Sequence, residues 1–255
     1  MISNFTVLAL VAAAVCTLIL PVILLIILGG KKKISGLPLL LGASAFFLSQ
    51  IIIRIPILGV ISTKVWYINF AENHYIPLIL LICLSAGLFE ETARLGGAFI
   101  LKKHRSFKDI ISFGLGHAFC EVVVLIGFTH INNIILSSTV NQSGGVSAVA
   151  LPPEMMQAVM QLATVSPAYV YLGILERVSA VIFHIFATVL VFSGVIQRKM
   201  SRCGLAIAAH TLFNFAGVMA AHYAGIVVSE ILLLAMASAA GYYILKTQKS
   251  MMEIS

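Results

Sequence analysis

The chain has 255 residues, of which 60% are hydrophobic and 10% charged, with a formal net charge of +7. Soluble domains carry about 25% charged residues, so this composition and a mean hydropathy of +1.07 point to a polytopic membrane protein. The positive balance does not point to a nucleic-acid partner, because the basic residues fall in short loops between apolar runs, where they set topology.

A spanning helix needs about 20 predominantly apolar residues. Stretches 3–29, 37–61, 75–101, 109–136, 170–196, 203–222 and 225–245 qualify. They predict an all-α bundle of about seven spanning helices, a single transmembrane domain over residues 1–255. The first stretch lacks a basic region before it and a small-residue cleavage site after it. Lys31, Lys32 and Lys33 follow it instead, which favours an uncleaved helix entering from outside over a secretory signal.

The later loops extend this pattern. Lys102, Lys103, Arg105 and Lys108, then Arg198, Lys199 and Arg202, then Lys246 and Lys249 join the first three lysines on one side, whereas the other side holds only Lys64. That asymmetry predicts an external N-terminus and a cytoplasmic C-terminus. Residues 137–153, rich in Ser, Gly and Asn and ending in Pro152 and Pro153, read as an external loop. Residues 154–168 are moderately apolar and too short to span, so a surface or re-entrant helix is expected there. Cys16, Cys83, Cys120 and Cys203 are scattered, with no CxxC, and imply neither a disulfide framework nor a cysteine zinc site.

Ionisable residues interrupt these apolar stretches. A charge at the centre of a membrane helix costs about 2.5–3.5 kcal/mol on insertion scales, so its presence asks for a function or a partner. Glu90, Glu91 and Arg94 fall in the third stretch, His117 and Glu121 in the fourth, Glu176, Arg177 and His184 in the fifth, and His210 and Asn214 in the sixth. At a rise of 1.5 Å per residue, Glu90, Glu91, His117, Glu121, His184, His210 and Asn214 all lie about 10–18 Å from the cytoplasmic ends of their helices. Four helices thus bring polar groups to one slab of the membrane. His117 and Glu121 are four apart, as are His210 and Asn214, so each pair shares a helix face. Adjacent Glu90 and Glu91 diverge by about 100°, which predicts different tasks for the two.

Blander readings apply to some of these residues. Glu176 and Arg177 read as a local ion pair, Arg94 as a counter-ion to a neighbouring glutamate, and Arg54, beside Pro56, as a side chain reaching for the membrane interface. Gly217, Ala221 and Gly225 read as helix packing.

The segments Glu90-Glu91-Thr92-Ala93-Arg94, Phe113-Gly114-Leu115-Gly116-His117 and His210-Thr211-Leu212-Phe213-Asn214 resemble the three motifs of the CAAX-protease and bacteriocin-processing intramembrane proteases. With GLGHAFCEVV (114–123), ERVSAVIFHI (176–185) and AAHTLFNF (208–215), the chain looks most like the YhfC branch of that superfamily. The resemblance spans residues 75–222, which it marks as the catalytic core. It implies an intramembrane endopeptidase acting on a membrane-associated protein or peptide. In that scheme Glu90 or Glu91 activates water with His117 orienting it, and His210 and Asn214 donate to the oxyanion. Arg94, Glu121, Glu176, Arg177 and His184 play supporting parts. Only two residues separate Glu91 from Arg94, where the CAAX proteases have three, so the spacing does not say which glutamate is the base.

A zinc ion held by His117, Glu121, His184 and His210 is the metal-dependent alternative, since YhfC-like proteins are described as metalloproteases. The chain has no HExxH, and the balance falls to the glutamate mechanism. Buried Glu and His could instead relay protons in a transporter, but that class predicts repeat symmetry and broken helices, and the sequence shows neither. A non-catalytic membrane scaffold is the third reading.

Overall fold

The computed structural model of the chain describes residues 1–146 and 151–252. Nine helices, and no strand, form among them. These are α1 (Asn4–Gly30), α2 (Gly36–Ser62), α3 (Val65–Asn73), α4 (Tyr75–Ile100), α5 (Phe107–Gln142), α6 (Pro153–Thr164), α7 (Pro167–Ile196), α8 (Ser201–Ala224) and α9 (Ile226–Met252). Seven of them, all but α3 and α6, are long and apolar enough to cross a membrane. The all-α bundle expected from hydropathy is therefore present, and the chain is an integral membrane protein.

α5 runs six residues past the expected end at 136, into the stretch read as loop, and reaches Gln142. Its polar residues explain how. Ser137 and Thr139 donate their hydroxyls to the carbonyls of Asn133 and Ile135, one turn back, so side chains that compete with helical structure are bonded within it. Residues 147–150 of the expected loop lie outside the described residues. The segment expected as a short non-spanning helix is α6, of 12 residues.

The described residues form two compact units. The first comprises Met1–Ile27 and Val122–Arg177. Its core is Ile2, Leu10 and Val140 with Val159 and Leu162 of α6, so α6 is held by its apolar stripe. The Asn141 side chain brackets Ile2, accepting from its N–H at 2.7 Å and donating to its carbonyl at 2.9 Å.

The second unit comprises Leu28–Glu121 and the chain from Val178 onward. Between membrane helices there is little hydrophobic drive, so close backbone approach and dispersion carry the packing. Three contacts show this. A Cβ on Gly116 would lie 1.9 Å from the Leu39 carbonyl oxygen, and one on Gly42 would lie 2.0 Å from that of Phe113, so α2 and α5 touch backbone to backbone. A Cβ on Gly114 would lie 3.1 Å from Ile185 Cα of α7. On either side of this crossing Phe113 and Phe192 pack at 5.2 Å within a core that includes Ala98, Ile110 and Val189.

Burial is inverted relative to a soluble protein. Large aliphatic side chains such as Ile26 and Ile231 face outward, whereas Glu90, Glu91, Arg94, His117, His184 and His210 are buried. Arg54, expected at the interface, is turned inward. Its guanidinium donates to Ser85 Oγ at 2.9 Å, to the Ile82 carbonyl at 2.8 Å and to Gln50 Oε1 at 2.9 Å. Three acceptors at hand satisfy the guanidinium where no water is needed. The π-helical stretch Phe47–Arg54 changes the phase of α2 just there, and a similar stretch, Val122–Gly127, starts one residue after Glu121 on α5.

Candidate active site

Four helices of the second unit supply the buried polar cluster. α4 contributes Glu90, Glu91 and Arg94, α5 contributes His117 and Glu121, α7 His184 and α8 His210. Gly87, one turn before Glu91, lets α4 lie against α8. A Cβ there would come 3.0 Å from the Ile207 carbonyl, 3.1 Å from Thr211 Oγ and 3.4 Å from His210 Cβ.

The two glutamates have separate surroundings. Glu91 is fully enclosed, and its Oε1 receives both the Arg94 guanidinium and His210 Nδ1, the latter at 2.7 Å. Glu90 faces the histidines. Its Oε2 lies 2.9 Å from His117 Nε2 and 3.7 Å from His184 Nδ1, and its Oε1 lies 3.8 Å from His210 Nε2. The Glu90 side chain retains 7% exposure against 0% for Glu91, so Glu90 is the one that can meet a water or a peptide.

Hydrogen-bond donors fix the imidazoles. Arginine only donates, so Arg94 Nη2, 3.0 Å from His184 Nδ1, makes that nitrogen an acceptor and puts the proton of the neutral ring on Nε2. That Nε2 lies 2.6 Å from Glu121 Oε2. Likewise the Glu91 carboxylate accepts from His210 Nδ1, which leaves His210 Nε2 with a lone pair turned toward Glu90. Phe46 sets its edge against the His117 ring at 5.3 Å, and Phe183 does the same for His210 at 5.5 Å while stacking on Phe213 at 4.4 Å. His117 and His210 are thus each held by a polar and an aromatic neighbour and His184 by two polar ones, a rigid arrangement that suits chemistry.

One carboxylate and two imidazoles, Glu90, His184 and His210, bring ligand atoms within 4.8 Å of one another. Zinc takes nitrogen and oxygen donors at about 2.0–2.1 Å, which spaces tetrahedral neighbours by about 3.4 Å. Glu90 Oε2 lies 3.7 Å from His184 Nδ1 and its other oxygen 3.8 Å from His210 Nε2, each within a few tenths of an ångström of that. Glu121 and Glu91 stand behind His184 and His210 as the carboxylates that commonly orient zinc-bound imidazoles. With His184 Nδ1 turned from Arg94 to the ion, the donor set fits a divalent ion of zinc type. Of the four ligands expected from sequence, His184 and His210 fall in this group. Glu121 is against His184, His117 is bonded to Glu90, and Glu90 itself is the third donor.

The remaining expected residues fall further out. Asn214, one turn beyond His210 on α8, is half-buried and its side chain forms no hydrogen bond among the described residues. Glu176 and Arg177 belong to the first unit and pair with each other. Sequence reading passed over Gln50, a buried amide on α2 one turn before Arg54. An amide inside an apolar run was the signal available.

Comparison with known proteins identifies relatives of the chain. The profile of the YhfC intramembrane metalloproteases matches residues 16–237. The uncharacterized membrane protein YhfC of Bacillus subtilis (strain 168) is 27% identical over 262 residues, covering 98% of this chain and 99% of that protein. No solved structure matches.

Proposed function

The chain belongs to the YhfC intramembrane metalloprotease family, and from that membership we propose that it is an endopeptidase that cleaves a membrane-associated protein or peptide within the bilayer, with Glu90 at the reacting centre. The observation that supports this best is the division of labour between the adjacent glutamates. Glu91 Oε1 is taken by Arg94 and His210, while Glu90 turns toward His117, His184 and His210 and keeps the greater side-chain exposure.

Glu90, His184 and His210 would hold the metal. When bound, such an ion supplies Lewis-acid polarisation and a water that ionises near neutral pH. The protein's own groups carry the proton. Glu90 Oε1 makes no hydrogen bond among the described residues, so it can take the proton of a water on the His210 side, while His117 Nε2 holds Oε2 in place. Water oxygen adds to the peptide carbonyl carbon, and the proton passes to Glu90. As the C–N bond breaks, Glu90 returns that proton to the departing amine. Arg94 stabilises Glu91 and orients His184, with no contact to substrate required.

On the basic-residue asymmetry, we place the N-terminus outside and the C-terminus in the cytoplasm of a bacterial cell. The relative from Bacillus subtilis fits a bacterial plasma membrane. The substrate class follows from the setting alone: a peptide bond presented at bilayer depth.

The test is a membrane N-terminome of cells carrying the wild type or the Glu90→Gln, Glu91→Gln double variant. New N-termini that appear only with the wild type identify both activity and substrate. Identical termini in the two strains would exclude the protease.

A further inference from the structure

Few N–H donors of the site are free for the oxyanion: Arg94 Nε, which is buried without a partner, and the half-buried amide of Asn214. When water adds to a peptide carbonyl, its oxygen gains a full negative charge, and fixed N–H donors in a dry site are worth more there than anywhere else. His210 gives its Nδ1 proton to Glu91, and His184 carries its proton beside Glu121. Both Arg94 terminal nitrogens are engaged, by Glu91 and by His184. Asn214 is partly exposed and unattached.

Gln50 supplies a further donor, buried and fixed in direction. It is only 2% exposed, and its Oε1 accepts from Arg54 Nη1 at 2.9 Å. Because the guanidinium can only donate, the oxygen must face Arg54 and the amide cannot be flipped. Its Nε2 is then left buried with two N–H groups and no acceptor. A buried donor without a partner is destabilising, a cost that the Arg54 bond does not require.

Helix contacts set where this donor lies. At one end of the α2–α4 pair, Gly42 and Gly97 both meet Phe113; toward the other end, Arg54 meets Ser85 and Ile82. The two helices therefore run antiparallel, and counting between these contacts sets Gln50 level with residues 86–89, about one turn or less from Glu90. Phe46, one turn before Gln50 on α2, touches His117, which is bonded to Glu90. We infer that the Gln50 side-chain amide is an oxyanion donor, held by Arg54 with its N–H groups committed to the scissile carbonyl of the bound peptide. Arg54, clamped to α4 through Ser85 and Ile82, is the positioning residue that fixes it.

This inference rests on the protease reading, so the test separates the two. Fluorescein-labelled β-casein in detergent micelles serves as the probe. Gln50→Glu keeps an acceptor for Arg54 and removes the N–H donors, whereas Gln50→Met keeps the length and removes both. Both variants should fold with wild-type thermal stability and metal content, with kcat lowered by about a hundredfold and KM within about twofold. A kcat within about threefold of wild type in either variant overturns the role of Gln50 and leaves the protease standing. A fall in kcat accompanied in both variants by lost metal or lost thermal stability also overturns it, in favour of a structural brace. No cleavage of casein by the wild type, with Glu90→Gln equally silent, overturns both.

Discussion

His210 Nδ1 lies 2.7 Å from Glu91 Oε1, the same oxygen that receives the Arg94 guanidinium. One carboxylate oxygen therefore holds a helix-α8 histidine and a helix-α4 arginine at once, and its neighbour Glu90 is left to face His117 and His184. Several outcomes follow from that single junction.

Replacing Glu91 by Ala should damage the fold before the chemistry. It removes the nearer counter-charge of the fully buried Arg94 guanidinium and leaves Glu90 Oε2 at 3.9 Å, and breaking a buried pair is worth about 3–5 kcal/mol. Thermal unfolding in detergent should show a large loss for Glu91→Ala and a smaller one for Glu91→Gln, which keeps an acceptor for His210. Equal stability of Glu91→Ala and wild type would contradict the junction.

Glu121→Gln should fold normally and bind metal about 10–100-fold more weakly, because Glu121 backs His184 as Glu91 backs His210. Titration of purified protein with zinc, read by metal analysis after gel filtration, measures this directly. The variants His184→Ala and His210→Ala should retain less than one ion per chain under the same conditions.

Removal of metal by 1,10-phenanthroline should abolish cleavage and added zinc should restore it, given the Glu90, His184 and His210 donor set. Undiminished cleavage by protein shown to be metal-free would assign Glu90 to the glutamate mechanism instead.

Glycine substitutions should grade by what a Cβ meets. Gly116→Ala, with backbone at 1.9 Å, should fail to fold. Gly87→Ala meets atoms at 3.0 and 3.1 Å and should cost about 1–3 kcal/mol while separating α4 from α8, so activity falls more than expression. Gly173→Ala meets nothing within 4 Å and should be silent. Expression, unfolding temperature and casein cleavage of the three variants check the order.

The spans were legible because a 20-residue apolar requirement is a strong physical filter, and all seven were found within a few residues at most ends. The exception, α5, continues through Ser137 and Thr139 because their hydroxyls bond the preceding turn, an effect hydropathy does not register. Depth counting brought Glu90, His117, His184 and His210 together correctly, since rise per residue needs no knowledge of neighbours. It could not choose between Glu90 and Glu91. That choice depends on which face of α4 meets α8, and Gly87, unremarkable in sequence, sets it. Arg54 and Gln50 were opaque for a related reason. The π-helical stretch Phe47–Arg54 alters the phase of α2, so the inward direction of Arg54 does not follow from a 3.6-residue repeat.

The most direct test of the account is casein cleavage by purified Glu90→Gln and Glu91→Gln proteins of matched purity, with folding checked by thermal unfolding. The account predicts that Glu90→Gln folds like wild type and has no measurable turnover, while Glu91→Gln is less stable and retains residual activity in the fraction that folds. Turnover by Glu90→Gln at the wild-type rate would contradict it.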